Sequence, residues 1–262
     1  MKKLLLAGLA GLTLLGFGSV NAADLTLRPV YKAPPPAMAP VPHFTWTGCY
    51  LGIEGGGTWG RTSAVAVAGT EDVGLPLTPD FNLSGGLFGG TIGCNYQFAA
   101  SWVIGIEDDL SWTNKRGSAR LIPPFNTAGL ETHKERWLDT LRGRVGFSSD
   151  RVLIYATGGV AFAGTTVTAF NTEELVGVSD SKTRTGWTAG GGIEWAFLGN
   201  WTAKVEYLFV DFGSANYVSP PVELGGITFV TRDVKFTDNI VRAGINYQFT
   251  WGKAPAPVIA RY

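Results

Sequence analysis

The sequence predicts an all-β fold, an eight-stranded antiparallel transmembrane up-and-down β-barrel with short periplasmic turns and long extracellular loops. Three observations predict it. Stretch 242–249 alternates with period two, setting Ala243, Ile245, Tyr247 and Phe249 on one face against Arg242, Gly244, Asn246 and Gln248 on the other. An apolar face ending in aromatics, opposite a polar one, suits a strand between lipid and a barrel interior. An imperfect copy, Gly93-Cys94-Asn95-Tyr96-Gln97-Phe98, sits upstream in a chain with 36 glycines and 9 tryptophans. Finally, the links between strand-like segments alternate between very short and long, the asymmetry expected of periplasmic turns and extracellular loops.

The chain opens with Lys2 and Lys3 before an apolar run ending at Val20, then small residues at Asn21, Ala22 and Ala23. The run is short and Gly-rich beside the roughly 20 apolar residues a spanning helix needs, so residues 1–22 are expected to be a cleaved signal peptide. Its loss takes Lys2 and Lys3 from 21 basic residues, leaving 19 against 21 acidic ones. That near-neutral balance argues against a nucleic-acid partner. Residues 23–44 include Pro34-Pro35-Pro36, Pro40 and Pro42 and read as an extended periplasmic linker. His43 lies at its end as a loop residue.

Eight strands are expected within a barrel spanning 45–251, at 45–60, 83–98, 101–115, 134–147, 152–166, 185–197, 201–212 and 234–251. Each exceeds the nine to eleven residues, roughly, that a tilted strand needs to cross a bilayer. Tight turns fall at 99–100, 148–151 and 198–200, and long loops at 61–82, 116–133, 167–184 and 213–233. An even strand count returns both ends of the barrel to the periplasm. Residues 252–262 form a tail.

Parity assigns nine charges to the lumen: Glu54, Glu107, Asp109, Arg142, Arg144, Glu194, Lys204, Glu206 and Arg242. Eight strands leave a bore just wide enough for side chains to fill. Buried unpaired charge is costly, so these five acids and four bases are expected to pair into a plug. The alternative is a charged ring in a narrow pore for small solutes. Trp46, Trp102 and Trp201 are expected in a periplasmic aromatic girdle, and Trp59, Trp112, Trp137 and Trp187 in an outer one. Asp108 and Asp139 share parity with lipid-facing neighbours, and a local bulge re-aiming them inward is the expected resolution.

Cys49 and Cys94 fall opposite one another in the register that sets Trp59 against Ser84. Export permits a disulfide there, and two small apolar residues packed on lipid is the competing reading; both stay open. Catalytic, cofactor and metal sites are not expected. The only histidines are His43 in the linker and His133 in the second long loop, which gives a triad or a histidine metal site little support. Runs such as Gly55-Gly56-Gly57 lie inside strands with no following helix, so glycine there relieves crowding and does not cradle phosphate.

Several stretches together resemble a family. They are Ala23-Asp24-Leu25 and the Pro-rich spacer, Trp46-Thr47-Gly48-Cys49-Tyr50-Leu51-Gly52, Leu141-Arg142-Gly143-Arg144-Val145-Gly146, Tyr155-Ala156-Thr157-Gly158-Gly159-Val160-Ala161 and Glu206-Tyr207-Leu208-Phe209-Val210-Asp211-Phe212-Gly213. With the terminal octet, they are similar to the small outer-membrane proteins of alphaproteobacteria called outer-membrane immunogenic or porin-family proteins. Cys49 stands where that family usually has Phe.

The resemblance implies a Gram-negative outer-membrane location, a role in envelope integrity, surface antigenicity, and loops that meet a host or environmental ligand. It implies lipid and lipopolysaccharide as partners. The octet also matches the terminal targeting pattern of outer-membrane barrels, so Arg242, Gly244, Tyr247 and Phe249 are expected to be read by the barrel-assembly machinery.

Overall fold

The computed structural model describes residues 44–68, 71–173, 175–217 and 231–249. The expected signal peptide, the linker up to His43, Trp251 and the tail lie outside the described residues. Nine strands are described: β1 (Gly48–Ala68), β2 (Phe81–Phe98), β3 (Trp102–Thr113), β4 (Arg116–Arg120), β5 (Gly129–Ser149), β6 (Val152–Asn171), β7 (Val176–Leu198), β8 (Trp201–Tyr217) and β9 (Thr231–Phe249).

Every neighbouring pair is antiparallel, and β1 closes the ring by pairing with both β2 and β9. β3 and β4 follow one another along a single position between β2 and β5, so nine strands build eight wall positions. Closure leaves no free edge, which lipid would not tolerate. The tight turns use left-handed backbone at Ala99, Ala100, Asp150 and Gly199, the twist that short hairpins need.

Alternation is strict where the wall faces lipid. Along the last half of β9, buried Arg242, Asn246 and Gln248 interleave with exposed Val241, Ile245 and Tyr247. Ile53, Ile92, Ile154 and Val205 are each more than half exposed, while Glu54, Thr91, Thr157 and Lys204 are buried. A soluble barrel would show the reverse arrangement.

Beyond the outer tryptophans the walls continue further than the sequence pattern indicated. β1 runs on to Ala68, β2 begins at Phe81, and β6 and β7 pair from Asn171↔Val176 onward, so much of the expected loops 61–82 and 167–184 is hairpin. The expected loop 116–133 contains β4 and the start of β5. In these extensions the pattern inverts: Ala64, Ala66, Val167, Val234 and Phe236 turn inward, and hydroxyl pairs such as Thr166–Ser181 and Thr168–Ser179 line the outside. Water now bathes the outer surface, so the apolar residues gather inside as in a soluble core.

Candidate functional site: a filled lumen

The wall brings all nine predicted lumenal charges together. Glu54 comes from β1, Glu107 and Asp109 from β3, Arg142 and Arg144 from β5, Glu194 from β7, Lys204 and Glu206 from β8, and Arg242 from β9; none is more than 4% exposed. Pleat and register do the positioning, since Glu107 faces Arg142 and Glu206 faces Arg242 as direct cross-strand partners. Glu194 faces Lys204 in register, yet its ion pair crosses the bore to Arg144 at 2.6 Å.

The contacts form one connected network. Arg142 reaches Glu107 at 2.5 Å, Asp109 at 2.5 Å and Glu206 at 2.9 Å. Arg242 reaches Glu206 at 2.6 Å and Asp109 at 2.7 Å, and it also contacts Glu54. Lys204 sits among Glu107 at 3.1 Å, Glu54 at 3.4 Å and Asp109 at 3.5 Å. Neutral donors complete the shell: Tyr50 donates to Glu107, Tyr155 to Glu206, Ser111 to Glu54, Thr140 to Asp109, and Thr202 and Asn246 to Glu194. The Arg144 guanidinium also stacks 4.0 Å from the Tyr155 ring centre. Tyr50 and Tyr155 were absent from the sequence-derived set, although their parity matches that of Glu54 and Thr157 and would have found them.

Glycine makes room for the long guanidinium stems. A Cβ on Gly56 would stand 2.6 Å from the Arg242 Cα across the ladder, whereas one on neighbouring Gly57 would meet nothing.

The periplasmic mouth departs from expectation. Trp46 is not a lipid-facing girdle residue; it is 1% exposed and packs with Val103, Leu153, Tyr155 and Ala196 inside the mouth. The cause is local. Gly48 has φ +148°, outside the range L side chains favour, and the chain turns inward ahead of β1. The Trp46 backbone N–H then donates to Gln97 Oε1 at 2.9 Å and its indole N–H to the Asp150 carbonyl at 3.2 Å. Phe44 packs against the Trp46 ring at 5.0 Å.

The other girdle tryptophans lie on the outer wall. Trp59, Trp102, Trp112, Trp187 and Trp201 are exposed, and Trp137 is partly covered where its ring lies over Gly164. Trp195, not anticipated, joins them at 54% exposure. In the terminal octet, Arg242 and Gly244 face the lumen, while Tyr247 and Phe249 face outward at the periplasmic rim beside Trp201, their rings edge to face at 5.3 Å.

Asp108 and Asp139 are not re-aimed by a bulge. The register runs unbroken from Trp112↔Trp137 through Leu110↔Asp139 and Asp108↔Leu141, and the irregularity instead falls at Arg136, between Glu135 and Trp137. Both aspartates therefore stay on the outer face, partly exposed.

Cys49 and Cys94 are joined by a disulfide between register partners on β1 and β2. Among the described residues, no group of three or more His, Cys, Asp and Glu side chains is arranged to hold a metal ion.

A second interior polar cluster lies on the outer side of the upper tryptophans; Thr62, Glu131, His133 and Arg232 fall in stretches read from sequence as loop, and Lys115, Glu135 and Asp238 in expected strands but outside the set of lumenal charges. Lys115 contacts Glu135 at 3.1 Å and also Asp238. Further out, His133 lies between the Phe81 and Phe236 rings, its Nδ1 3.0 Å from Thr62 Oγ1 and its Nε2 2.7 Å from Glu131. Arg232 stands 3.5 Å from the other Glu131 oxygen. Burial alone would raise the Glu131 carboxyl; the His133 hydrogen bond and the Arg232 charge outweigh it and hold the group below its usual range. Around this cluster pack Leu77, Leu83, Leu138, Val210 and Phe212.

Comparison with known proteins agrees with this architecture. Residues 10–249 match the family model described as outer membrane protein beta-barrel domain. The chain is 32% identical over 258 residues to the 31 kDa outer-membrane immunogenic protein of Brucella melitensis, covering 95% of this chain and 100% of that protein. It is 34% identical over 221 residues to the 25 kDa outer-membrane immunogenic protein of Brucella abortus, covering 82% of this chain and 86% of that one. Among solved structures, the outer membrane protein OprG from Pseudomonas aeruginosa aligns with a TM-score of 0.50 at 12% identity, covering 78% of this chain and 97% of that one, which speaks to fold alone.

Proposed function

This chain belongs to the outer membrane protein beta-barrel domain family and is a surface-exposed outer-membrane barrel protein; from that premise we propose that it is a structural, non-enzymatic envelope component whose lumen is closed. The observation that carries the reading is the connected lumenal network, in which each of the four bases contacts at least two of the five acids. Two further layers support it: the Trp46 cap at the periplasmic mouth and the apolar packing in the outer extension. A pore would need water along its axis, and side chains filling the bore in these three layers support the closed reading over it.

On this reading the extended hairpins present the protein to the exterior, consistent with relatives that are named immunogenic. The octet ending at Phe249 serves as the assembly signal. The disulfide ties β1 to β2 near the periplasmic rim. Planar-bilayer recording from the refolded monomer tests the closed lumen: the expected result is a baseline without steady single-channel steps. A stable ohmic conductance would establish the narrow-pore alternative.

A further inference from the structure

Cys49 and Cys94 are the only cysteines of the chain, and their bond lies on the lipid side of the wall. Cys94 is exposed and Cys49 partly so, on the outward parity of β2 and β1. Leu51, Ile92, Tyr96 and Ile106, each more than half exposed, surround them on that face. Cys94 stands four residues from Phe98, which faces Trp102 at the periplasmic rim. The bond therefore sits on the hydrocarbon side of that girdle.

The same bond joins two strands whose side chains say little about how they should pair. Of the fifteen register pairs between β1 and β2, ten include a glycine, among them Tyr50↔Gly93, Glu54↔Gly89 and Gly57↔Gly86. Gly-rich strands specify pairing weakly, and a slip of one residue turns every side chain to the other face. A slipped β1 would send Glu54 to lipid and Leu51 into the lumen. A covalent tie at Cys49↔Cys94 sets all fifteen pairs at once, and it does so to most effect before β9 closes the ring on β1.

We propose that Cys49 and Cys94 are the substrate of a soluble periplasmic thiol–disulfide oxidoreductase, which oxidises them before the β1–β2 hairpin enters the membrane, and that the bond then sets this hairpin's register for closure. One cysteine's thiolate attacks a sulfur of the oxidoreductase disulfide, forming a mixed disulfide and expelling that protein's second sulfur as a thiolate. The other cysteine's thiolate attacks the mixed disulfide, so Cys49 Sγ joins Cys94 Sγ and the oxidoreductase leaves as the dithiol. Two electrons and, through water, the two thiol protons end on the oxidoreductase. Both attacks need an ionised sulfur and a protein partner in line with it. Hydrocarbon admits neither, which puts the reaction ahead of insertion. The inference rests on the outer-membrane reading above but not on the closed lumen.

The test uses the full mature chain, reduced, with an oxidised periplasmic thiol oxidase of the thioredoxin fold as the probe, free thiols being read by maleimide mass shift. Diluted from urea without lipid, the chain should be oxidised within minutes. Inserted reduced into phosphatidylcholine nanodiscs, which leave both rims open, it should be oxidised at least about 100-fold more slowly. C49S/C94S/T168C/S179C moves the pair to register partners beyond the bilayer and should be oxidised in nanodiscs as fast as the unfolded chain. A barrel inserted already oxidised should keep its bond in a charged phosphine reductant and lose it on unfolding, a measurement that needs no reduced barrel. The reduced chain should also give less heat-modifiable barrel than the oxidised one. Fast oxidation of the inserted wild type, ready reduction of the folded barrel, or equal protection of the T168C/S179C pair would each overturn the proposed order. Equal barrel yields would overturn the register role. A barrel that inserts yet oxidises freely defeats this inference alone, whereas an oxidised chain that fails to insert defeats the reading beneath it.

Discussion

Arg242 is the residue on which the lumenal network most depends, and replacing it with Met gives a measurable destabilisation. Its guanidinium touches Glu54, Asp109 and Glu206, and the residue is 2% exposed. R242M leaves three bases against five acids in a bore without bulk solvent. Removing one partner of a buried ion pair typically costs about 3–5 kcal/mol, because the other partner stays buried and uncompensated. Each orphaned carboxylate keeps a second cation here: Lys204 for Glu54, Arg142 and Lys204 for Asp109, and Arg142 for Glu206. The lower end of the range, about 3 kcal/mol, is therefore expected. Removing the orphan as well, in R242M/E206Q, should recover part of that loss, with a coupling of about 1–3 kcal/mol in the double-mutant cycle. Urea titration of the refolded barrel, followed by tryptophan fluorescence and by heat-modifiable migration, reads both numbers. If R242M lies within about 1 kcal/mol of the wild type, or the two substitutions add without coupling, the lumen is hydrated and the network argument fails.

Three further outcomes follow from the geometry. G56A should destabilise the barrel by about 1–3 kcal/mol, because its Cβ meets the Arg242 backbone, while G57A in open space should change stability by less than about 0.5 kcal/mol; the two urea midpoints compare them directly. D139L removes a carboxylate from the lipid-facing surface and should raise the urea midpoint, by about 1 kcal/mol in stability, so a loss would show that Asp139 makes a contact the barrel needs. Glu131 is held below its usual range in the fold, so its contribution is complete above the ordinary value of 4.5 and is lost as pH falls through the lowered folded value. The stability gap between wild type and E131Q should narrow below about pH 4.5, and a gap constant with pH would contradict the His133 and Arg232 contacts as its source.

Sidedness was legible in the sequence because two rigid constraints enforce it. The pleat fixes a period of two, and lipid admits only one of the two faces, so alternation within each strand sorts Lys204, Glu206 and Glu194 to the interior as it does Arg242. The same reasoning failed where either constraint lapsed. At Trp46 the pleat ends, since Gly48 turns the chain, and parity carried across that turn pointed the indole to lipid. Beyond Trp59 and Trp137 the lipid ends, the pattern inverts, and Thr-, Ser- and Ala-rich wall reads as loop. His133 and Glu131 were lost for that reason, because only the pairing of β4 with β5 brings them into an interior. Asp108 and Asp139 show the converse limit: a bulge does occur nearby, but at Arg136, where it does not alter their direction.

The statement beneath all of this is that greasy side chains of the wall meet acyl chains while ionised ones meet each other. Spin labels at 205, 243 and 245, introduced singly and placed in bilayers, test it most directly. Relaxation by dissolved oxygen should exceed relaxation by a water-soluble nickel chelate at all three positions. Stronger relaxation by the chelate would turn the barrel inside out and contradict the account.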